Sequence, residues 1–85
     1  MTDHETRNRA IVSALAKLLS AERQRQGLSM NELAARAGLS QQMVSYVERE
    51  MRNPTINTLL RITRVLEIDL ADLIRAAIQQ ATHRK

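Results

Sequence analysis

The sequence predicts an all-α fold of five helices, and three observations carry that prediction. Apolar residues recur at spacings of three and four over several stretches, and no strand-like alternation interrupts them. The strong breakers, two glycines and one proline, fall between those stretches and not within them. Good helix N-caps (Ser29, Ser40, Thr55 and Asp69) stand just ahead of four of them. A chain of 85 residues is expected to form one domain, residues 1–85, with one core.

The first helix is expected from about Glu5 to Gln26, with residues 1–5 frayed. Ile11, Leu15, Leu18, Leu19 and Glu22 follow helical spacing, several alanines raise the propensity, and Gly27 supplies a stop. In "LSMNELAARAGLS", Ser29 and Glu32 form an S-x-x-E capping box and Leu33, Ala34 and Ala37 make a small inner face. Gly38 ends this second helix after about two turns, and Ser40 caps the next almost at once. So tight a turn forces a large crossing angle, with Ala34 and Gly38 small where the two backbones approach.

The third helix splits cleanly on a wheel of about 100° per residue. Met43, Val44, Val47 and Met51 take one arc, and Gln41, Gln42, Ser45, Tyr46 and Arg49 the other. "RNPT" then breaks the chain, because Pro54 disfavours helix at Asn53. Thr55 caps a fourth helix, about Ile56 to Leu66, whose inner side is Leu59, Leu60, Ile62, Thr63 and Leu66. Asp69 caps a fifth, where Leu70, Leu73, Ile74, Ala77 and Ile78 form an apolar stripe. The end, "THRK", is polar and expected to be mobile.

Composition narrows function by exclusion. Hydrophobic residues make up 44%, yet Tyr46 is the sole aromatic, so aliphatic side chains must build the core. Without cysteine there are no disulfides or thiolate metal sites, which fits a reducing, cytoplasmic setting. No run approaches the roughly 20 apolar residues of a membrane span, and "MTDHETRNRA" lacks the apolar core of a secretory signal. Thirteen basic against nine acidic residues give a net +4, compatible with a polyanionic partner. His4 and His83 are the two histidines, both near the ends. With no phosphate loop and no H-E-x-x-H pair, no catalysis, cofactor or metal is expected.

The outer face of the third helix is the informative one. It carries amides, a hydroxyl, a phenol and one guanidinium, mostly uncharged hydrogen-bonding groups that solubility alone does not call for. A glutamine amide pairs a donor with an acceptor and matches adenine N6 and N7, while a phenol can bond a base or phosphate.

From Gly27 to Leu73 the motifs run in order: G-L-S-x-x-E-L-A, A-G-L-S, S-x-x-E-R, R-N-P-T with T-L-L-R-I, then I-x-L-x-D-L. This order resembles the phage-repressor and Cro-like helix-turn-helix family, also called the XRE family, over about residues 27–73. The resemblance implies a five-helix lambda-repressor-like fold with the helix-turn-helix at helices 2 and 3, binding double-stranded DNA. Residues 40–50 would be the recognition helix in the major groove. Gln41, Gln42, Ser45 and Tyr46 then become base contacts, and Asn31, Ser40, Arg49, Arg52 and Asn53 phosphate contacts, with Arg36 a further candidate. Arg23 and Glu48 occupy places where the family often has a structural brace. The chain departs from the family at Met30, where a glutamine is common, and at Glu50, where glycine is usual. A left-handed Glu50 would cost about 1 kcal/mol, so the helix is expected to run on toward Met51 in the core arc.

A short recognition helix reads few base pairs, so a homodimer on a pseudo-palindromic operator is expected. Its interface is expected at Ile74, Ala77 and Ile78, with Ile11 and Val12 as possible additions. Packing of the first and fifth helices on each other within a monomer is the competing explanation for this apolar surface. An antitoxin-type or other protein-interaction module, or a restriction-modification controller, would use the same fold. A toxin or the transcription machinery would then be a protein partner. The sequence leaves open whether the chain represses or activates.

Overall fold

The computed structural model describes residues 3–82. Five helices follow one another: α1 (Asp3–Arg25), α2 (Met30–Ala37), α3 (Gln41–Glu48), α4 (Ile56–Leu66) and α5 (Leu70–Thr82), with no strand among the described residues. Residues 83–85, most of the expected polar tail, lie outside the description. α1 starts at Asp3, so residues 3–5 are helical and not frayed. Asp3 and Glu5 lie in its first turn, where carboxylates meet the positive end of the helix dipole.

One core joins all five helices. Leu19, Leu33, Val44, Ile62 and Leu66 are almost inaccessible, and Ala77 of α5 is fully so. The hydroxyl of buried Thr63 is satisfied within its helix, donating to the Leu59 carbonyl at 2.9 Å. At about 1.5 Å per residue, α1 alone accounts for most of the molecule's 37 Å length. α5 runs antiparallel to it: Leu18 and Glu22 border Asp72 and Leu73 near the start of α5, while Ala10, Ser13 and Lys17 border Gln80 and Ala81 near its end. This is the most extensive helix pairing in the fold. The apolar surface of the two helices is therefore largely spent within the monomer. Ala77 is in the core and Ile74 packs against it, which removes Ala77 from the expected dimer interface.

The helix starts follow local chemistry. Ser29 and Glu32 exchange both capping-box hydrogen bonds, at 3.0 and 2.9 Å. Ser40 accepts from the Met43 N–H at 3.0 Å, Thr55 from Thr58 at 3.1 Å, and Asp69 from Ala71 at 2.7 Å.

The helix ends share one device. α1 to α4 each close through a residue at positive φ, namely Gly27, Gly38, Glu50 and Glu67. Behind each, the next N–H reaches five residues back: Leu28 to Arg23, Leu39 to Ala34, Met51 to Tyr46 and Ile68 to Thr63, all at 2.9 to 3.1 Å. Gly38 answers to this turn and to α4, since an added Cβ would sit 2.9 Å from the Arg61 guanidinium. That close neighbour is an arginine of α4, where the sequence had pointed to the α3 backbone. Arg61 in turn donates to the Ala37 carbonyl at 3.4 Å.

Glu50 overturns one expectation directly. It takes φ 59, α3 stops at Glu48, and Met51 leaves the core arc to become 63% exposed. Two backbone hydrogen bonds close the turn, and the Ser13 hydroxyl donates to the Glu50 carboxylate at 3.3 Å. Leu60 also departs from its expected inner position and is 50% exposed, while Thr58, Leu59, Ile62, Thr63 and Leu66 fill the inner side of α4.

Glu67 makes no side-chain hydrogen bond that offsets its left-handed backbone. Glu67→Gly is expected to stabilise the fold by about 1 kcal/mol, raising Tm by roughly 4–8 °C. Thermal and urea unfolding measure it, and an unchanged or lowered midpoint would show that the position carries no strain.

Candidate nucleic-acid interface

The placement of α3 depends on one ion pair. Arg23, near the end of α1, donates from Nε to Glu48 Oε2 at 2.7 Å and from Nη2 to Oε1 at 3.0 Å. Its Nη1 donates to the Leu28 carbonyl at 2.8 Å, so one guanidinium ties α1, the turn into α2, and the last turn of α3. The side chains are only 11% and 4% exposed. Hydrogen bonding to Glu48 raises the Arg23 pKa further above its already high value. Both groups are turned inward and form a brace within the monomer.

α2 and α3 pack across the Gly38 turn and leave one face of α3 outward. Gln41 and Gln42 are exposed there, and Tyr46 is half-buried. The Gln42 amide donates from Nε2 to the Tyr46 hydroxyl at 2.6 Å, one helical turn on. The Arg52 guanidinium lies 4.9 Å from the centre of the Tyr46 ring, within cation–π range. Gln41 has a looser partner, the Met30 thioether at 3.6 Å. Met30 itself packs against the core, so it offers support for Gln41 where a polar residue would reach outward.

Ser45 does not join this face. It is 9% exposed although the wheel sets it between exposed Gln41 and Arg49, so its cover comes from packing that one helix does not show. Asn31, Arg49, Arg52 and Asn53 are exposed around the rim, and Arg36 is exposed farther along α2. Ser40, also exposed, uses one hydroxyl lone pair to cap α3 and keeps its O–H free to donate.

Some features of the site lacked a local sequence signal. The stacking of Arg52 on Tyr46 requires the chain to double back through the left-handed Glu50. The Ser13–Glu50 hydrogen bond joins residues 37 positions apart. Three arginines, Arg36, Arg61 and Arg64, gather at one shallow pocket beside Gly38. Their spacing of three along α4 was visible, but the convergence with α2 was not. Among the described residues there is no group of side chains able to hold a metal ion.

A helix-turn-helix family model matches residues 19–73, more than half of the chain and both helices flanking the Gly38 turn. The chain belongs to the XRE-like helix-turn-helix family of DNA-binding regulators. This family is regulatory and not enzymatic. The chain is similar to the uncharacterized HTH-type transcriptional regulator y4dJ of Sinorhizobium fredii, 40% identical over 52 residues, covering 61% of this chain and 68% of that one. It is also similar to the HTH-type transcriptional regulator SlrR of Bacillus subtilis, 32% identical over 63 residues, which cover 73% of this chain but only 41% of SlrR. In fold it is similar to a crystal structure of a mutant restriction-modification controller protein, C.Esp1396I. That likeness has a TM-score of 0.77 at 24% identity and covers 88% of this chain and 97% of the other. Five helices and no strand among the described residues, arranged as in that structure, make this an XRE-like helix-turn-helix fold.

The brace can be tested apart from DNA. Glu48→Ala strands the Arg23 charge and is expected to cost about 3–5 kcal/mol. Arg23→Met with Glu48→Leu is expected to recover most of that loss in urea unfolding. If the double variant is as unstable as the single one, Glu48 contributes through something other than its charge.

Proposed function

We propose that the chain is a sequence-specific regulator of transcription that reads double-stranded DNA with the outer face of α3. The observation that carries this reading is the surface formed by Gln41, Gln42 and Tyr46, placed at the start and middle of the second helix of the turn. Exposed amides there match the donor–acceptor edges of the major groove. Asn31, Ser40, Arg49, Arg52 and Asn53 surround that surface and are assigned to phosphates, which fix position without reading sequence. Ser45 is withdrawn from the base contacts because its side chain is covered.

A homodimer on a pseudo-palindrome, with half-site centres about 10 base pairs apart, follows from the small footprint of one such helix. No helix among the described residues is long and apolar enough to cross a membrane. With its partner DNA and no cysteine to oxidise, the protein is assigned to the cytoplasm.

Selection of bound sites from random duplex DNA tests the reading as a whole. It is expected to enrich a two-fold related motif; enrichment of nothing beyond random sequence contradicts specific recognition. Gln42→Ala is then expected to cost about 1–3 kcal/mol on the selected site and to relax preference at one base pair. Tyr46→Phe keeps the ring but removes the oxygen that holds the Gln42 amide, so it should relax the same base pair by less. Equal losses on selected and scrambled DNA would make Gln42 a positioning contact.

Salt dependence separates the rim from the reading face. Arg52→Ala is expected to lower the salt slope of binding by roughly one unit per subunit. An unchanged slope assigns Arg52 to holding Tyr46 alone.

A further inference from the structure

Arg36, Arg61 and Arg64 carry more positive charge than the fold around them uses. Arg61 and Arg64 lie one turn apart on α4, and with Arg36 of α2 they border an open pocket of about 240 Å³. Its remaining lining is Ala37, Gly38 and Val65, so no carboxylate faces it. The ion pairs within the described chain use other residues. Glu32, the acid one turn before Arg36, is committed to the capping box. The end of α2 presents carbonyl oxygens that one cation can offset, and Arg61 does so by donating to Ala37 at 3.4 Å. Arg36 and Arg64 are then left over, both exposed. Like charges gathered in this way repel one another unless an anion joins them.

We propose that this pocket binds a small phosphorylated molecule through a terminal phosphate monoester. A monoester carries roughly −1.5 to −2 charge near neutral pH and three acceptor oxygens. Guanidiniums reaching in from two helices can share those three oxygens, whereas a planar carboxylate offers only two in one plane. The pocket is smaller than the roughly 300–1,000 Å³ that enclose a whole drug-sized ligand. It suits one ionic group, with the rest of the molecule in solvent. Gly38 serves the pocket as well as the turn: an added Cβ would stand 2.9 Å from Arg61 Nη1, so a bare backbone lets the guanidinium lie there. The duplex is the wrong source of the phosphate. Arg36 follows Asn31 by five residues, about 140° around α2, and so points away from the flank assigned above to DNA. Because Arg61 also holds the Ala37 carbonyl, an occupant of the pocket bears on the turn that orients α3.

Amide NMR of the full chain without DNA, titrated with glycerol 3-phosphate, tests the assignment; glycerol and sodium chloride at matched ionic strength are the controls. The phosphate is expected to give saturable shifts at Ala37, Gly38, Leu39 and Val65, with half-saturation at about 1 mM or below. Arg36→Gln and Arg64→Gln alter exposed positions and keep good helix formers, so the spectrum away from the pocket is expected to match the wild type. Each is expected to weaken phosphate binding about tenfold. Shifts that grow without saturating, or that persist unchanged in both variants, overturn the site. So does a chain that ignores the phosphate yet loses about one unit of salt slope on duplex DNA in either variant, which gives these arginines to the DNA backbone. Failure of specific DNA recognition would leave the titration standing, since no DNA is present in it.

Discussion

The Arg23–Glu48 pair is the constraint on which the rest of the arrangement depends. A short helix of eight residues has little stability of its own, and its orientation is set by what holds its two ends. At its start, α3 is held by the Ser40 cap and the Gly38 turn. At its end, a bidentate guanidinium from α1 grips Glu48 and also the Leu28 carbonyl. Both charges are mostly removed from water, so the geometry must be good for the pair to be tolerated at all. The pair therefore acts as a registration device: it aligns the long α1, itself clamped by α5, with the helix that carries Gln41, Gln42 and Tyr46 outward.

From that alignment the surface chemistry follows. Val44 and Val47 are buried, so Gln42 and Tyr46 must project away from the core. The left-handed turn at Glu50 then brings Arg52 back over the Tyr46 ring. Each contact restrains the next, from the Arg52 cation to the ring and from its hydroxyl to the Gln42 amide. A side chain held before binding loses less rotamer freedom when it meets a partner, which favours selectivity over adaptability. Gln41, resting on the Met30 thioether, is less restrained, so the two neighbouring amides are not equivalent.

Much of this was legible in the sequence where the signal was local. Capping depends on residues three apart, so Ser29 with Glu32, Ser40, Thr55 and Asp69 marked the helix starts. Gly27 and Gly38 marked two ends. Glu50 and Glu67 hid the other two, because their left-handed turns are held by backbone hydrogen bonds and the surrounding fold against a Cβ penalty of about 1 kcal/mol. Periodicity placed most of the core but misjudged its margins. Leu60 fell on the apolar side of a wheel yet faces a groove left open by α5, and Met51 was carried outward by the early end of α3. Ser45 and Ala77 differ the other way, since both small side chains are covered by packing between helices that a single wheel cannot reveal. The Arg23–Glu48 pairing, 25 residues apart, came from the family resemblance and not from spacing.

If the Gln41–Gln42–Tyr46 face of α3 meets DNA as proposed, its amides must respond to the duplex. Side-chain amide resonances of the two glutamines, followed by NMR during titration with a duplex selected for binding, test it most directly. Large shifts are expected for both amides and for the α2 and α3 backbone N–H groups near Asn31 and Ser40, with α5 little changed. Glutamine amides that stay in place while α1 or α5 responds would contradict it.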